Sequence, residues 1–458
     1  MRFERATRLS ATPEEVWSWH SRVGALERLS PPWQSIESLG EVGTPQIGSR
    51  VHLRLGRGLL AIRWTAEHTA VEPGRGFEDV QVEGPFKSWR HQHAFLPVGE
   101  NSSLLRDRID YEIPGGRLLG RMAARPIERS IERTFAYRHR VTSEDLELHK
   151  GFAAARPLRV GVTGASGLVG RVLVPMLTTG GHEVVHLVRA ESTPRRLDQA
   201  RWSPELGVLD PSRLEGLDAV VHLAGENISQ RRWTIQQRER IRWSRVVGTA
   251  RLVESLGDLE RPPKAFVSAS AVGYYGDRGD ELLDEESDPG SGFLAAVCQD
   301  LEAAAAEARH WAERVVMARL GVVLSARGGA LASMLPAFRA GVGGVMGSGR
   351  QFVSWISIDD AAGALIHILQ SDNLQGPVNL VAPRPQRNRD FVRQLAATLR
   401  RPAVVPMPSW VARGLFGPIA SEILLSGASV QPERLQTSDY RFRHAELEPA
   451  IRFLLGRQ

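Results

Sequence analysis

Thr163-Gly164-Ala165-Ser166-Gly167-Leu168-Val169-Gly170 places three glycines where an apolar run, Leu158 to Thr163, meets a helix-forming one. Glycines so spaced permit a tight turn, let backbone approach a pyrophosphate and let the helix pack on the strand. The helix N-terminus adds unpaired amides and the positive end of its dipole. Because the motif follows a strand and opens a helix, it predicts a dinucleotide site built on Gly164, Ala165, Ser166, Gly167, Leu168, Val169 and Gly170. The next strand ends in Leu187-Val188-Arg189. An acidic side chain there would accept from a ribose 2′-hydroxyl, whereas the Arg189 guanidinium suits a 2′-phosphate, so NADP(H) is expected ahead of NAD(H).

Such a loop needs strands and helices alternating around it. Leu158 to Thr163, a helix, His182 to Arg189, Ala219 to Ala224, a long helix, Ala265 to Ala269, a helix and Arg314 to Val323 form βαβ units. That succession implies an α/β fold with a parallel, doubly wound Rossmann sheet. Upstream the pattern changes. A strand, Phe3 to Leu9, precedes Thr12-Pro13 with Glu15 close behind, a helix-start signal, and then Val16, Trp19, Val23 and Leu26 at helical spacing. Runs at Ser49 to Leu55, Leu59 to His68, Gly76 to Val82, Ser88 to Leu96 and Ser103 to Glu112, separated by Gly, Pro and Asn, suggest an antiparallel meander. A helix from Pro126 to about Val141, with Ile127, Ile131 and Phe135 on one face, completes an α+β domain whose curved sheet can wrap it. Gly151 to Ala155 reads as a linker, so residues 1–150 and 157–458 are expected to fold independently.

The chain has 458 residues, 42% hydrophobic and 24% charged, too long for one small core. No window approaches the roughly 18 apolar residues a spanning helix needs, and the amino end lacks a secretory stretch. A cytoplasmic protein with no membrane partner is expected. The net charge of +6 comes almost wholly from arginine, with lysine only at Lys87, Lys150 and Lys264, and the arginines are mixed with acids rather than clustered. No nucleic-acid partner is therefore expected. The single cysteine, Cys298, excludes an internal disulfide and a Cys-rich metal site; without a paired base it reads as a small buried apolar residue. Trp33, Trp64, Trp89, His91 and His93 read as strand and core side chains, and Asp359-Asp360 as carboxylates at a helix start.

Residues 1 to about 145, by element order and by Ala11-Thr-Pro-Glu-Glu-Val-Trp17, resemble the polyketide cyclase/START-like (SRPBCC) helix-grip superfamily. That resemblance implies an apolar ligand held between sheet and helix. The TGxxGxxG spacing is similar to that of the short-chain dehydrogenase/reductase superfamily. Ala219-Val-Val-His-Leu-Ala-Gly-Glu-Asn-Ile228, Ser268-Ala-Ser-Ala-Val-Gly-Tyr-Tyr-Gly276, Ser354-Trp-Ile-Ser-Ile-Asp-Asp360 and Gly376-Pro-Val-Asn-Leu-Val-Ala-Pro383 narrow it to an epimerase family. Asn388-Arg-Asp-Phe391, Arg401-Pro402 and Pro432-Glu-Arg-Leu435 resemble that family's C-terminal domain, DUF1731. The implied domains are 1–150, 157–375 and 376–458, and the implied partner is a small-molecule substrate.

The resemblance further implies that Leu223 and Ala224 line the adenosine side, with Arg245 a phosphate candidate, and that Ser270, with Ser268 the weaker alternative, holds a substrate oxygen. The family superfold usually adds a Tyr and, four residues on, a Lys; here Phe293 and Val297 occupy those places. Neither exchanges a proton. Tyr274 or Tyr275, with Tyr275 preferred, is expected to replace the missing acid. The alternative expectation is a non-catalytic NADP(H)-binding sensor.

Overall fold

The computed structural model describes residues 1–40, 43–56, 58, 61–150, 156–190, 198–228, 233–417 and 420–457, with backbone alone for 116–123 and 415–416. Two compact units are present, built on Met1–Arg156 and on Pro157–Val174 with His182–Arg457. The expected linker, residues 151–155, and the expected strand start at Leu59 lie outside the described residues.

The first unit is a seven-stranded antiparallel sheet. In spatial order its strands are Arg2–Leu9, Ser102–Glu112, Ser88–Gly99, Gly76–Glu83, Ile62–Glu72, Arg50–Leu55 and Ile36–Ser38. Thr12 opens the helix Pro13–Ser21 with a full capping box: its Oγ1 accepts from the Glu15 amide at 3.2 Å and its own amide donates to Glu15 Oε2 at 2.7 Å. Ile36–Ser38 is too short to show alternation and was not expected. The closing helix also differs from expectation, running Gly116–Lys150 with Pro126 inside it. Pro126 forfeits one amide donor, but Gly115 at φ +100° supplies the turn before the helix and good helix formers lie on both sides. Ile131 and Phe135 pack from this helix on Phe3, Ile109 and Tyr111 of the sheet.

The second unit carries an eight-stranded sheet in the order Gly207–Val208, Gln199–Ser203, Glu183–Arg189, Arg159–Thr163, Ala219–His222, Ala265–Ala271, Arg314–Leu320 and Gly376–Leu380. All neighbours pair parallel except the first two. The direction of winding reverses between Arg159–Thr163 and Ala219–His222, which places a topological switch point at their carboxyl ends. The expected strand Arg314 to Val323 is broken at Gly321. A Cβ there would lie 2.6 Å from the Ser354 carbonyl oxygen, and beyond it Val322–Leu324 leaves the main sheet to pair with Trp355–Ser357. Asp359 and Asp360 do start a helix, Ile358–Gln370, capped by Ser357. The Asp360 carboxylate also accepts from the Arg443 and His444 amides at 2.7 and 3.0 Å, so it anchors the C-terminal segment rather than only facing a dipole. Among the described residues no helix is long and apolar enough to cross a membrane.

Candidate active site

Gly164 adopts φ +67°, and a Cβ on it would lie 2.8 Å from the Leu223 carbonyl carbon and 2.9 Å from the Ala224 nitrogen. Its backbone therefore runs against the end of the neighbouring strand in a way only glycine allows. A Cβ on Gly170 would come within 2.4 Å of the Gly164 oxygen, so the third glycine lets the helix Gly170–Thr179 start against the loop. The Gly167 amide closes the turn on the Gly164 carbonyl at 2.8 Å. Ala165, Leu168 and Val169 are half-buried, while Ser166 and Gly167 form the exposed tip.

Thr163, buried at the end of its strand, clasps this arrangement. Its Oγ1 accepts from the Leu223 and Ala224 amides at 3.0 and 3.2 Å, which leaves its proton for His222 Nδ1 at 2.7 Å. His222 is then the Nε2–H tautomer, donating to Thr249 Oγ1 at 3.1 Å. Burial, and secondarily the Arg245 charge, push its pKa down to about 4, so the ring stays neutral. Arg245 Nη1 donates to the Glu226 carbonyl at 2.9 Å and its guanidinium faces Gly225. Leu223, Ala224, Arg245 and the Gly164 loop thus meet at the switch point. Arg189 stands exposed at the carboxyl end of the adjacent strand, with residues 191–197 beyond it outside the described set. These residues fit a dinucleotide: a glycine-turned loop, a helix start and a guanidinium at the end of the second strand.

Ser270, on the next strand, is buried and donates to Glu302 Oε1 at 2.6 Å. Arg319 binds both oxygens of the same carboxylate, Nε to Oε1 at 2.9 Å and Nη2 to Oε2 at 2.8 Å. Its Nη1 donates to the Tyr275 hydroxyl at 2.9 Å, and that hydroxyl donates to Asn379 Oδ1 at 2.8 Å. Tyr275, the residue expected to supply the acid, is thereby tied into this network. Its side chain is fully enclosed, both sides of its hydroxyl are committed, and burial pushes its pKa up to about 12. Tyr274 is half-buried, with the Arg319 guanidinium carbon 3.5 Å from its ring centroid. Phe293 packs on Trp233 with centroids 5.3 Å apart, and Val297 is buried, so neither carries a proton to this site. Cys298 is buried as expected, and burial pushes its thiol up to about 11.

Several partners were invisible in the sequence reading. Glu302, Arg319 and Asn379 sit in largely apolar elements, where a polar residue on the inward face was the available signal. Glu422 caps the helix Phe293–Ala306 by accepting from the Phe293 and Leu294 amides at 3.1 and 2.9 Å. Its distance of more than a hundred positions along the chain hides that role.

Residues 160–381 match the NAD dependent epimerase/dehydratase family, residues 9–140 the polyketide cyclase / dehydrase and lipid transport family, and residues 407–454 the domain of unknown function DUF1731. An epimerase family protein of Mycobacterium bovis is 40% identical over 298 residues, covering 65% of this chain and 98% of the relative. The human epimerase family protein SDR39U1 is 38% identical, over 65% of this chain and 100% of the relative. Among solved structures, one described as a nucleoside-diphosphate sugar epimerase of Corynebacterium glutamicum superposes with TM-score 0.81 at 33% identity, covering 99% of this chain and 90% of that one. Human SDR39U1 isoform 2 with NADPH superposes with TM-score 0.59 at 35% identity, covering 65% of this chain and 99% of that one.

Proposed function

Because the chain belongs to the NAD dependent epimerase/dehydratase family, we propose that it is an NADP(H)-dependent oxidoreductase or sugar-nucleotide epimerase acting on a small, nucleotide-linked carbonyl or alcohol. The observation that carries the reading is the approach of Gly164 to Leu223 and Ala224, which leaves backbone alone to face a pyrophosphate. Arg189 and the NADPH bound to human SDR39U1 support the phosphorylated cofactor. When bound, the cofactor supplies or receives hydride.

This chain's own residues then hold the substrate oxygen and its proton. Ser270 spends its proton on Glu302, so its lone pairs are the part free to accept from a substrate hydroxyl. Glu302 and Arg319 act as positioning residues that fix the Ser270 rotamer. With Tyr275 enclosed, Tyr274 is the phenol of the pair left to exchange a proton. The first unit is read as an appended domain for an apolar ligand, which its Trp64, Phe86 and Trp89 cluster supports, with Trp64 and Trp89 centroids 5.2 Å apart.

Cofactor titration followed by turnover assays over nucleotide sugars and simple carbonyls tests this. NADPH binding with turnover that falls about 10²- to 10³-fold in Ser270→Ala, at unchanged NADPH affinity, is expected. Undiminished Ser270→Ala activity would remove the serine. The replacement of the usual Tyr and Lys by Phe293 and Val297 favours a second reading, a non-catalytic NADP(H) sensor, which tight binding without turnover would establish.

A further inference from the structure

Inside the first unit, the sheet face towards the long helix carries charge where a hydrophobic core would serve folding better. His91 and His93 alternate on Ser88–Gly99 and so share that face, with ring centroids 3.9 Å apart. Asp79 stands opposite His91 in register on one neighbouring strand, and Asp107 opposite His93 on the other. The two carboxylates flank the two rings. Asp107 Oδ1 lies 3.0 Å from His91 Nε2 and 2.6 Å from His93 Nδ1. Its Oδ2 accepts from His139 Nε2 at 2.7 Å, and His139 Nδ1 lies 2.8 Å from Thr7 Oγ1. Asp79 Oδ2 is 3.3 Å from His91 Nδ1 and 4.0 Å from His93 Nε2.

We propose that Asp79, His91 and His93 form a binding site for a divalent transition-metal ion, with Zn²⁺ the ion best matched by two imidazoles and one carboxylate. Their candidate ligand atoms lie within 4.8 Å of one another. A tetrahedral ion with bonds of about 2.0–2.1 Å needs donors roughly 3.4 Å apart, a closure that side-chain rotation supplies. Asp107 occupies the place of the outer carboxylate that orients metal-bound imidazoles. His93 Nδ1 lies against Asp107 at 2.6 Å, which turns its Nε2 towards Asp79, as His91 Nε2 against Asp107 turns His91 Nδ1 the same way. The rival account is a metal-free cluster in which a protonated His91 bridges Asp79 and Asp107.

The test uses the full chain without a histidine tag, stripped with chelator and titrated with Co²⁺ and then Zn²⁺, read by visible absorption and calorimetry. One equivalent per chain, with Co²⁺ ligand-field bands that Zn²⁺ abolishes, is expected. Asp79→Asn and His93→Ala should each weaken binding at least 100-fold, and Asp107→Asn about 10- to 100-fold. His310→Ala, on the surface of the second unit, should change nothing. Far-UV dichroism and near-UV dichroism of the first unit's tryptophans verify each variant's fold; if His93→Ala fails, His93→Gln and the wild-type Co²⁺ spectrum still decide. Absence of saturable Co²⁺ and Zn²⁺ binding by the wild type, or binding indifferent to Asp79→Asn and His93→Ala, would overturn the site in favour of the bridging imidazolium.

Discussion

Arg319 holds Glu302 by two parallel hydrogen bonds, Nε to Oε1 at 2.9 Å and Nη2 to Oε2 at 2.8 Å, with side-chain exposures of only 3% and 9%. Planar guanidinium against carboxylate in this fork is the strong form of the interaction, and neither charge has water to fall back on. Glu302→Ala should therefore cost about 3–5 kcal/mol of stability by leaving a buried guanidinium unmatched. Glu302→Gln should be milder, because its amide oxygen can still accept from Ser270 and Arg319 Nε while the bond from Nη2 is lost. Denaturant unfolding of both variants checks this; a loss below 1 kcal/mol in the alanine variant would mean that the pair is not held as described.

Arg189→Ala should weaken NADPH by about 10- to 100-fold, the usual worth of a charge-assisted hydrogen bond, and leave NADH nearly unchanged. Calorimetric titration of both cofactors measures it. An equal cofactor preference before and after the substitution would take Arg189 out of the site.

Gly164→Ala should be felt twice, in the fold and in the cofactor. Its φ of +67° and the 2.8 Å approach to Leu223 leave no place for a methyl group. The loop must shift away from Leu223 and Ala224, so the melting temperature should drop and NADPH affinity should fall at least tenfold. Wild-type affinity in this variant would contradict the cradle.

Cys298 gives the pH dependence a sign. Burial, and after it the neighbouring Glu302, raise the thiol from 9.0 to about 11, so the native state favours the neutral form. The stability this contributes is present below pH 9 and is lost as pH rises through about 11, since the unfolded thiol ionises first. At pH 8 the native thiol is therefore held in its protonated form. Iodoacetamide labelling of the native protein should be at least tenfold slower than that of the urea-unfolded chain, and equal rates would place the thiol at the surface.

Much of this molecule is local and therefore legible. The glycine spacing of Gly164, Gly167 and Gly170, the capping pair Thr12 and Glu15, the alternation of inward and outward residues along Ser88–Gly99 and the Arg189 position all follow from turn chemistry and periodicity, which a sequence displays directly. Gly321 was less open to reading, because a glycine that breaks a strand looks the same as one that is tolerated in it until the Ser354 carbonyl is seen beside it. Pro126 misled for the opposite reason: one missing donor marks a helix start in isolation yet is tolerated inside thirty-five residues of helix. What only the tertiary structure decided is which polar residues meet. Ser270 finds Glu302 at a separation of 32 residues, Tyr275 finds Asn379 at 104, and His139 finds Asp107 across a helix and a sheet. Strand order and register make those pairings. Residue types along the chain carry the capacity to hydrogen-bond, but burial is what makes an unpaired group costly and so selects the partner.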